Sequence, residues 1–129
     1  MIALDPPAPV SPVTIGIVDK LRANARATPA APALVCDGTT LSWGAFEDRQ
    51  NRVANLLLSA GLARGGRVAV LSPNSIAYAE VFVGTLRAGG CITPLSTMAS
   101  ADALEKMLRD CDAKMFFVAA SYLHLIEGF

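Results

Sequence analysis

An α/β fold is predicted: an N-terminal β-hairpin followed by a β-α-β-α-β-α layer built on a parallel sheet. Three observations predict it. The dipeptide Asp37-Gly38 stands between two short apolar runs, a strong local hairpin signal. The segment Arg67–Leu71 is apolar without alternation after its first residue, as a strand covered on both faces requires. From there strand and helix patterns alternate across short connections, which favours a parallel sheet with right-handed crossovers.

The elements follow in order. Residues 1–13 carry Pro6, Pro7, Pro9 and Pro12, whose fixed φ and restricted predecessors predict an extended lead-in. Thr14 is placed to cap a helix running to about Thr28, with Ile15, Val18, Leu21 and Ala25 on one face; Pro29 and Pro32 end it. Strands at Ala33–Cys36 and Thr40–Leu41 form the hairpin. Ser42 then caps a helix from Trp43 to about Ala60. Trp43, Phe46, Val53 and Leu57 share its inner face, and Glu47, Asp48 and Arg52 point outward. Asp48 and Arg52 are ordered for an i,i+4 pair, worth about 0.3 kcal/mol. Gly61 is the expected left-handed stop.

After the strand at Arg67–Leu71, the loop Ser72–Ser75 leads into a helix from Ile76 to Ala88. Ile76, Tyr78, Val81, Phe82, Val83 and Leu86 make it apolar nearly all round, the pattern of a helix buried within a larger protein. Gly89-Gly90 ends it, and a strand follows at Cys91–Thr93. Ser100 caps a helix with Leu104, Met107, Leu108 and Cys111 at i, i+3, i+4, i+7 spacing, and Asp102 and Glu105 suit the positive end of its dipole. Lys114–Val118 is a further strand, and the run from Ala119 to Phe129 predicts another helix.

Composition narrows the functional classes. The 129 residues fit one compact domain or part of a larger one. Hydrophobic residues make up 53% and charged residues 17%, which supplies a core and excludes an intrinsically disordered chain. Eleven basic residues balance eleven acidic ones without a charge run, so no nucleic-acid or acidic-membrane partner is expected. Cys36, Cys91 and Cys111 are far apart, no C-x-x-C pair occurs and His124 is the only histidine, which leaves no zinc constellation. Three reduced, mostly buried thiols in a cytoplasmic protein are expected. The opening "MIALDPPAPVSPV" lacks the basic and apolar regions of a signal peptide. No window approaches the ~18 uninterrupted apolar residues of a transmembrane helix.

The unit Arg67–Ser96 has the outline of a dinucleotide-binding β-α-β, but its turn lacks the required chemistry. G-x-G-x-x-G lets backbone amides approach a pyrophosphate; here the turn is Ser72-Pro73-Asn74-Ser75, with no glycine and one amide removed by proline. G-x-x-x-x-G-K-[ST] is absent. Asn74 or Ser75 is read as a helix cap, and Gly65-Gly66 and Gly89-Gly90 as structural turns. His124 sits between Leu123 and Leu125 without a partner, as a packing or surface histidine. No G-x-S-x-G elbow occurs. Thus no catalytic residue and no metal ligand is assigned.

Six phrases, in order over about residues 28–122, carry a resemblance. "TPAAPAL" leads to the Asp37-Gly38 hairpin. Ser42-Trp43-Gly44-Ala45-Phe46 opens the next helix. Gly61-Leu62-Ala63-Arg64-Gly65-Gly66-Arg67-Val68 follows, with Gly66 where an Asp is common. Leu71 to Glu80 contains "Leu-x-Asn-x-x-Glu"-like spacing. Arg87-Ala88-Gly89-Gly90 runs on to Pro94-Leu95, and "ADALEKMLRDCDAKMFFVAASY" completes the set. In this the chain resembles the N-terminal part of AMP-forming acyl-CoA synthetases and related adenylate-forming enzymes.

The resemblance implies that residues 14–129 are the N-terminal portion of the large AMP-binding (adenylation) domain, cut before its ATP loop. It implies a two-step reaction in the whole enzyme: a carboxylate attacks Mg·ATP to give acyl-AMP and pyrophosphate, and coenzyme A thiol then displaces AMP. ATP, Mg2+ and coenzyme A are thus implied for the full-length protein and none is expected on this segment. The ATP loop, the ribose-binding aspartate and the catalytic lysine of that family have no counterpart positions here. One cofactor-binding candidate remains. Arg87 stands at the family's basic position before Ala-Gly, as a helix C-terminal cation or as a cation lining the approach of coenzyme A. A carrier-protein-loading adenylation domain and a truncated, non-catalytic interaction module are the competing readings. The apolar helix and the open last strand predict self-association of the segment alone.

Overall fold

The computed structural model describes residues 16–129, and the proline-rich lead-in, Thr14 and Ile15 lie outside them. Helix α1 (Ile17–Ala27) has Gly16 at its N-cap with no side-chain cap, and Val18, Leu21 and buried Ala25 share its inner face. Strands β1 (Pro32–Cys36) and β2 (Thr39–Ser42) pair antiparallel. Their turn needs positive φ at both central residues, which Asp37 (49°) and Gly38 (76°) supply. Ser42 starts α2 (Trp43–Ser59) by accepting from the amide of Ala45.

α2 ends as the sequence predicts. Gly61 takes φ 86° and donates to the Leu58 carbonyl, while Leu62 donates to Leu57; the two leucine side chains then meet in the core. The same paired bonds close α3 (Ile76–Arg87), from Gly89 to Leu86 and from Gly90 to Thr85. Ser75 and Ser100 cap α3 and α4 (Ala101–Cys111) through Tyr78 and Ala103 amides.

Strands β3 (Arg67–Leu71), β4 (Cys91–Pro94) and β5 (Met115–Val118) form a parallel sheet in the order β4-β3-β5. The central strand explains its own unbroken apolar run. Val68 packs with Leu57 and Leu62 beneath α2 and α3, while Ala69 and Leu71 pack with Leu95 and Leu104 beneath α4. Both faces of β3 are therefore covered, and α1, α2 and α3 are gathered on the side opposite α4.

Four expectations need correction. The final segment is a 3-10 helix, Ala120–Leu125, and not an α-helix. Ala119 at its N-cap offers no side-chain acceptor for the first amides. Glu47 does not point outward: it turns into the helix layer between Arg22 and Arg87. Met107 lies outside the inner stripe of α4 and is exposed, whereas Leu104 and Leu108 pack into the core. The cysteines are free but not mostly buried. Cys91 is exposed at the start of an edge strand, and Cys36 and Cys111 are half-buried on the hairpin and the last turn of α4.

Candidate functional site

Open parallel sheets bind ligands beyond the carboxyl ends of their strands. Here that edge holds a cleft of about 290 Å3 between β3, the Ser72–Ser75 loop, the first turns of α3 and the end of β5. Val70, Pro73, Tyr78, Val81, Phe117 and Val118 make it predominantly apolar. Its serine hydroxyls are already engaged: Ser75 Oγ caps α3, and Ser72 Oγ donates to the Pro73 carbonyl at 2.9 Å. No cation, carboxylate or histidine lines it. Such a cleft receives apolar side chains; it has nothing with which to hold Mg2+ or a triphosphate. The residues present do not fit those groups, and no cluster of metal-ligating side chains occurs among the described residues.

Arg87 lies elsewhere, in the seam between α2 and α3. Its side chain is 7% exposed. Nη1 donates to Asn51 Oδ1 at 2.7 Å and to Glu47 Oε1 at 3.3 Å, while Nε and Nη2 have no partner. Glu47 also faces Arg22 of α1 at 3.8 Å, so one carboxylate links three helices. Gln50, fully buried in the same helix layer, was not singled out by its sequence pattern. The i,i+4 pair Glu47 and Asn51 opposite the last turn of α3 was a readable signal for Arg87's partners. His124 is exposed on the 3-10 helix, and its side chain makes no hydrogen bond or ion pair among the described residues. No described helix is long and apolar enough to cross a membrane.

This framework of hairpin, helix layer and three-stranded sheet places the chain in a class, the adenylate-forming enzymes. The family model described as AMP-binding enzyme matches residues 21–127, and the chain belongs to that family. A fatty acid–[acyl-carrier-protein] ligase of Streptomyces coeruleorubidus is 31% identical over 104 residues, covering 81% of this chain and 20% of the relative. A feruloyl-CoA synthase of an Amycolatopsis species is 36% identical over 92 residues, covering 71% of this chain and 19% of the relative. Among solved structures, an anthranilate CoA ligase in complex with anthranoyl-AMP superposes with a TM-score of 0.85 at 26% identity, over 91% of this chain and 23% of that one. The chain thus spans about a fifth of the length of these relatives.

Proposed function

We propose that these residues are scaffold within a larger ATP-dependent acid–thiol ligase, with residues 14–129 the N-terminal portion of its adenylation domain and 1–13 the lead-in. The whole polypeptide would activate a carboxylic acid with ATP and Mg2+ and pass the acyl group to the thiol of coenzyme A. The observation that carries the reading is the superposition on the anthranilate CoA ligase over nine-tenths of the chain. The apolar cleft and the absence of reactive side chains around it support a bracing role for this segment. Three free thiols are consistent with a reducing compartment, and we place the enzyme in the cytoplasm.

The test is carboxylate-dependent exchange of pyrophosphate into ATP. A chain carrying the rest of the adenylation domain is expected to catalyse it with a fatty or aromatic acid, and the 129 residues alone are not. Exchange by the short chain, or none by the long one across such acids, would overturn the proposal. A second reading, loading of a carrier protein, is favoured by the likeness to the fatty acid–[acyl-carrier-protein] ligase. Supplying the long chain with coenzyme A or with a phosphopantetheinyl carrier protein separates the two by which thiol becomes acylated.

For Arg87, burial and its bonds to Glu47 and Asn51 support a clasp between helices. Contact with coenzyme A would require the guanidinium, 7% exposed, to come out of the seam or the seam to open. Arg87→Ala in the whole ligase decides this: an unchanged Michaelis constant for coenzyme A, measured apart from adenylation, excludes the contact.

A further inference from the structure

A second cleft, of about 430 Å3, opens at the amino ends of β3 and β5, the opposite end of the strands from Ser72–Ser75. Its walls are the Gly61–Gly66 loop, Arg67, Asp112 and Lys114. Three cations share it with one carboxylate. Lys114 Nζ is 2.7 Å from Asp112 Oδ1. Hydrogen bonding and charge from Lys114, and then the charge of Arg67, hold the Asp112 carboxyl below its ordinary value. Both cations therefore act on the same carboxylate, and backbone pairing fixes them side by side, the Lys114 amide donating to the Arg67 carbonyl at 2.9 Å. Among the described residues, Arg64 and Arg67 form no ion pair within 4.0 Å.

The loop that presents Arg64 is held in shape. Gly65 takes φ 73°, and its amide donates to the Gly89 carbonyl at 2.8 Å; the Gly66 amide donates to the Ala63 carbonyl at 2.8 Å. A Cβ at Gly66 would stand 2.7 Å from Leu62 Cδ1 and 2.8 Å from the Ala63 oxygen, so the loop in this shape is fitted to glycine there. No acid occurs anywhere in 61–67. We propose that this cleft is an anion site that takes a phosphate group through the side chains of Arg64, Arg67 and Lys114. The glycine amides are already spent on the backbone, so recognition falls to guanidinium forks and an ammonium. Their donors outnumber the acceptors of one carboxylate and suit the several oxygens of a phosphate. The site is independent of the proposed ligase chemistry.

Equilibrium dialysis of the full 129-residue chain against labelled inorganic pyrophosphate tests it. Saturable binding to one site is expected. The double variant R64Q/R67Q should weaken it roughly tenfold or more through loss of charge-assisted hydrogen bonds. The double variant R52Q/R109Q makes the same charge change at exposed ion pairs and should leave it unchanged. Circular dichroism checks that the variants fold; if R64Q/R67Q does not, R64Q alone, on the exposed loop, should still weaken binding about threefold. Displacement by AMP shows that a nucleotide phosphate is also accepted, and no displacement confines the site to the free anion. Absence of saturable binding, or equal weakening in both double variants, overturns the proposal. Pyrophosphate–ATP exchange by the long chain should survive R64Q/R67Q, so failure of this site and failure of the ligase reading remain distinct.

Discussion

Replacing Gly84 with alanine measures how closely α2 and α3 are fitted. A Cβ at that position would lie 2.6 Å from both Cβ and Cγ1 of Val53 and 3.1 Å from the Gln50 carbonyl oxygen. Carbon atoms in ordinary contact are ~3.5–4.0 Å apart, so the helices must separate by about 1 Å. Val53 cannot swing aside, because a β-branched side chain has one favoured rotamer on a helix and its Cβ is itself in the way. Ion pairs tie the same seam, Arg49 to Glu80 at 2.8 Å and Arg87 to Glu47 at 3.3 Å. Overpacking of this kind costs ~1–3 kcal/mol, and two contacts this short belong at the upper end. Alanine returns about 1 kcal/mol as the better helix former. The net expectation is a loss of about 2 kcal/mol. With a urea slope of ~1–3 kcal/mol per molar, the midpoint should fall by about 1 M. Fluorescence of Trp43, the only tryptophan, reports the transition. Val53→Ala removes one of the two close contacts, so the double variant should exceed the sum of the singles by about 1 kcal/mol. An unchanged or raised midpoint for Gly84→Ala would refute the close fit and mean that the helices part freely.

Other outcomes follow from the same structure. Ser75→Ala removes the acceptor of a 3.0 Å cap and should cost about 1 kcal/mol in the same urea assay; Ser100→Ala, whose cap is 3.4 Å long, should cost less. The lowered pKa of Asp112 means that its contribution to stability is present above the ordinary aspartate range. That contribution is lost as pH falls through about 4 toward the lower folded value. Asp112→Asn should therefore flatten the acid limb of a melting-temperature profile, and added salt should shrink the difference. The chain alone, with β4 and β5 as free sheet edges and an apolar cleft beside β5, should associate. Light scattering that finds a monodisperse monomer at high concentration contradicts this.

The elements were legible wherever local chemistry decides them. Asp37-Gly38, Gly61, Gly89 and the serine caps each act through the backbone next to them, so the sequence predicts their positions to within a residue or two. Asp48 and Arg52 pair at 2.8 Å as their spacing predicts. What escaped depends on partners far along the chain. Glu47 turns inward because Arg87, forty residues later, has no other carboxylate within reach among the described ion pairs. Gln50 is buried because Gly84 lets α3 come close to it. The amino-end cleft was invisible for the same reason: Arg64, Arg67 and Lys114 meet only once β5 lies beside β3.

The placing of the first parallel strand in the middle of the sheet has a consequence for synthesis on the ribosome. β3 is made before either neighbour, and its second edge stays open until Val118 has been added. At ~5–20 residues per second, the interval between Leu71 and Val118 lasts about 2–9 s. For that time one edge of the most deeply buried strand of the sheet has nothing to pair with, so it is the stretch on which a chaperone waiting at the exit tunnel has most reason to act.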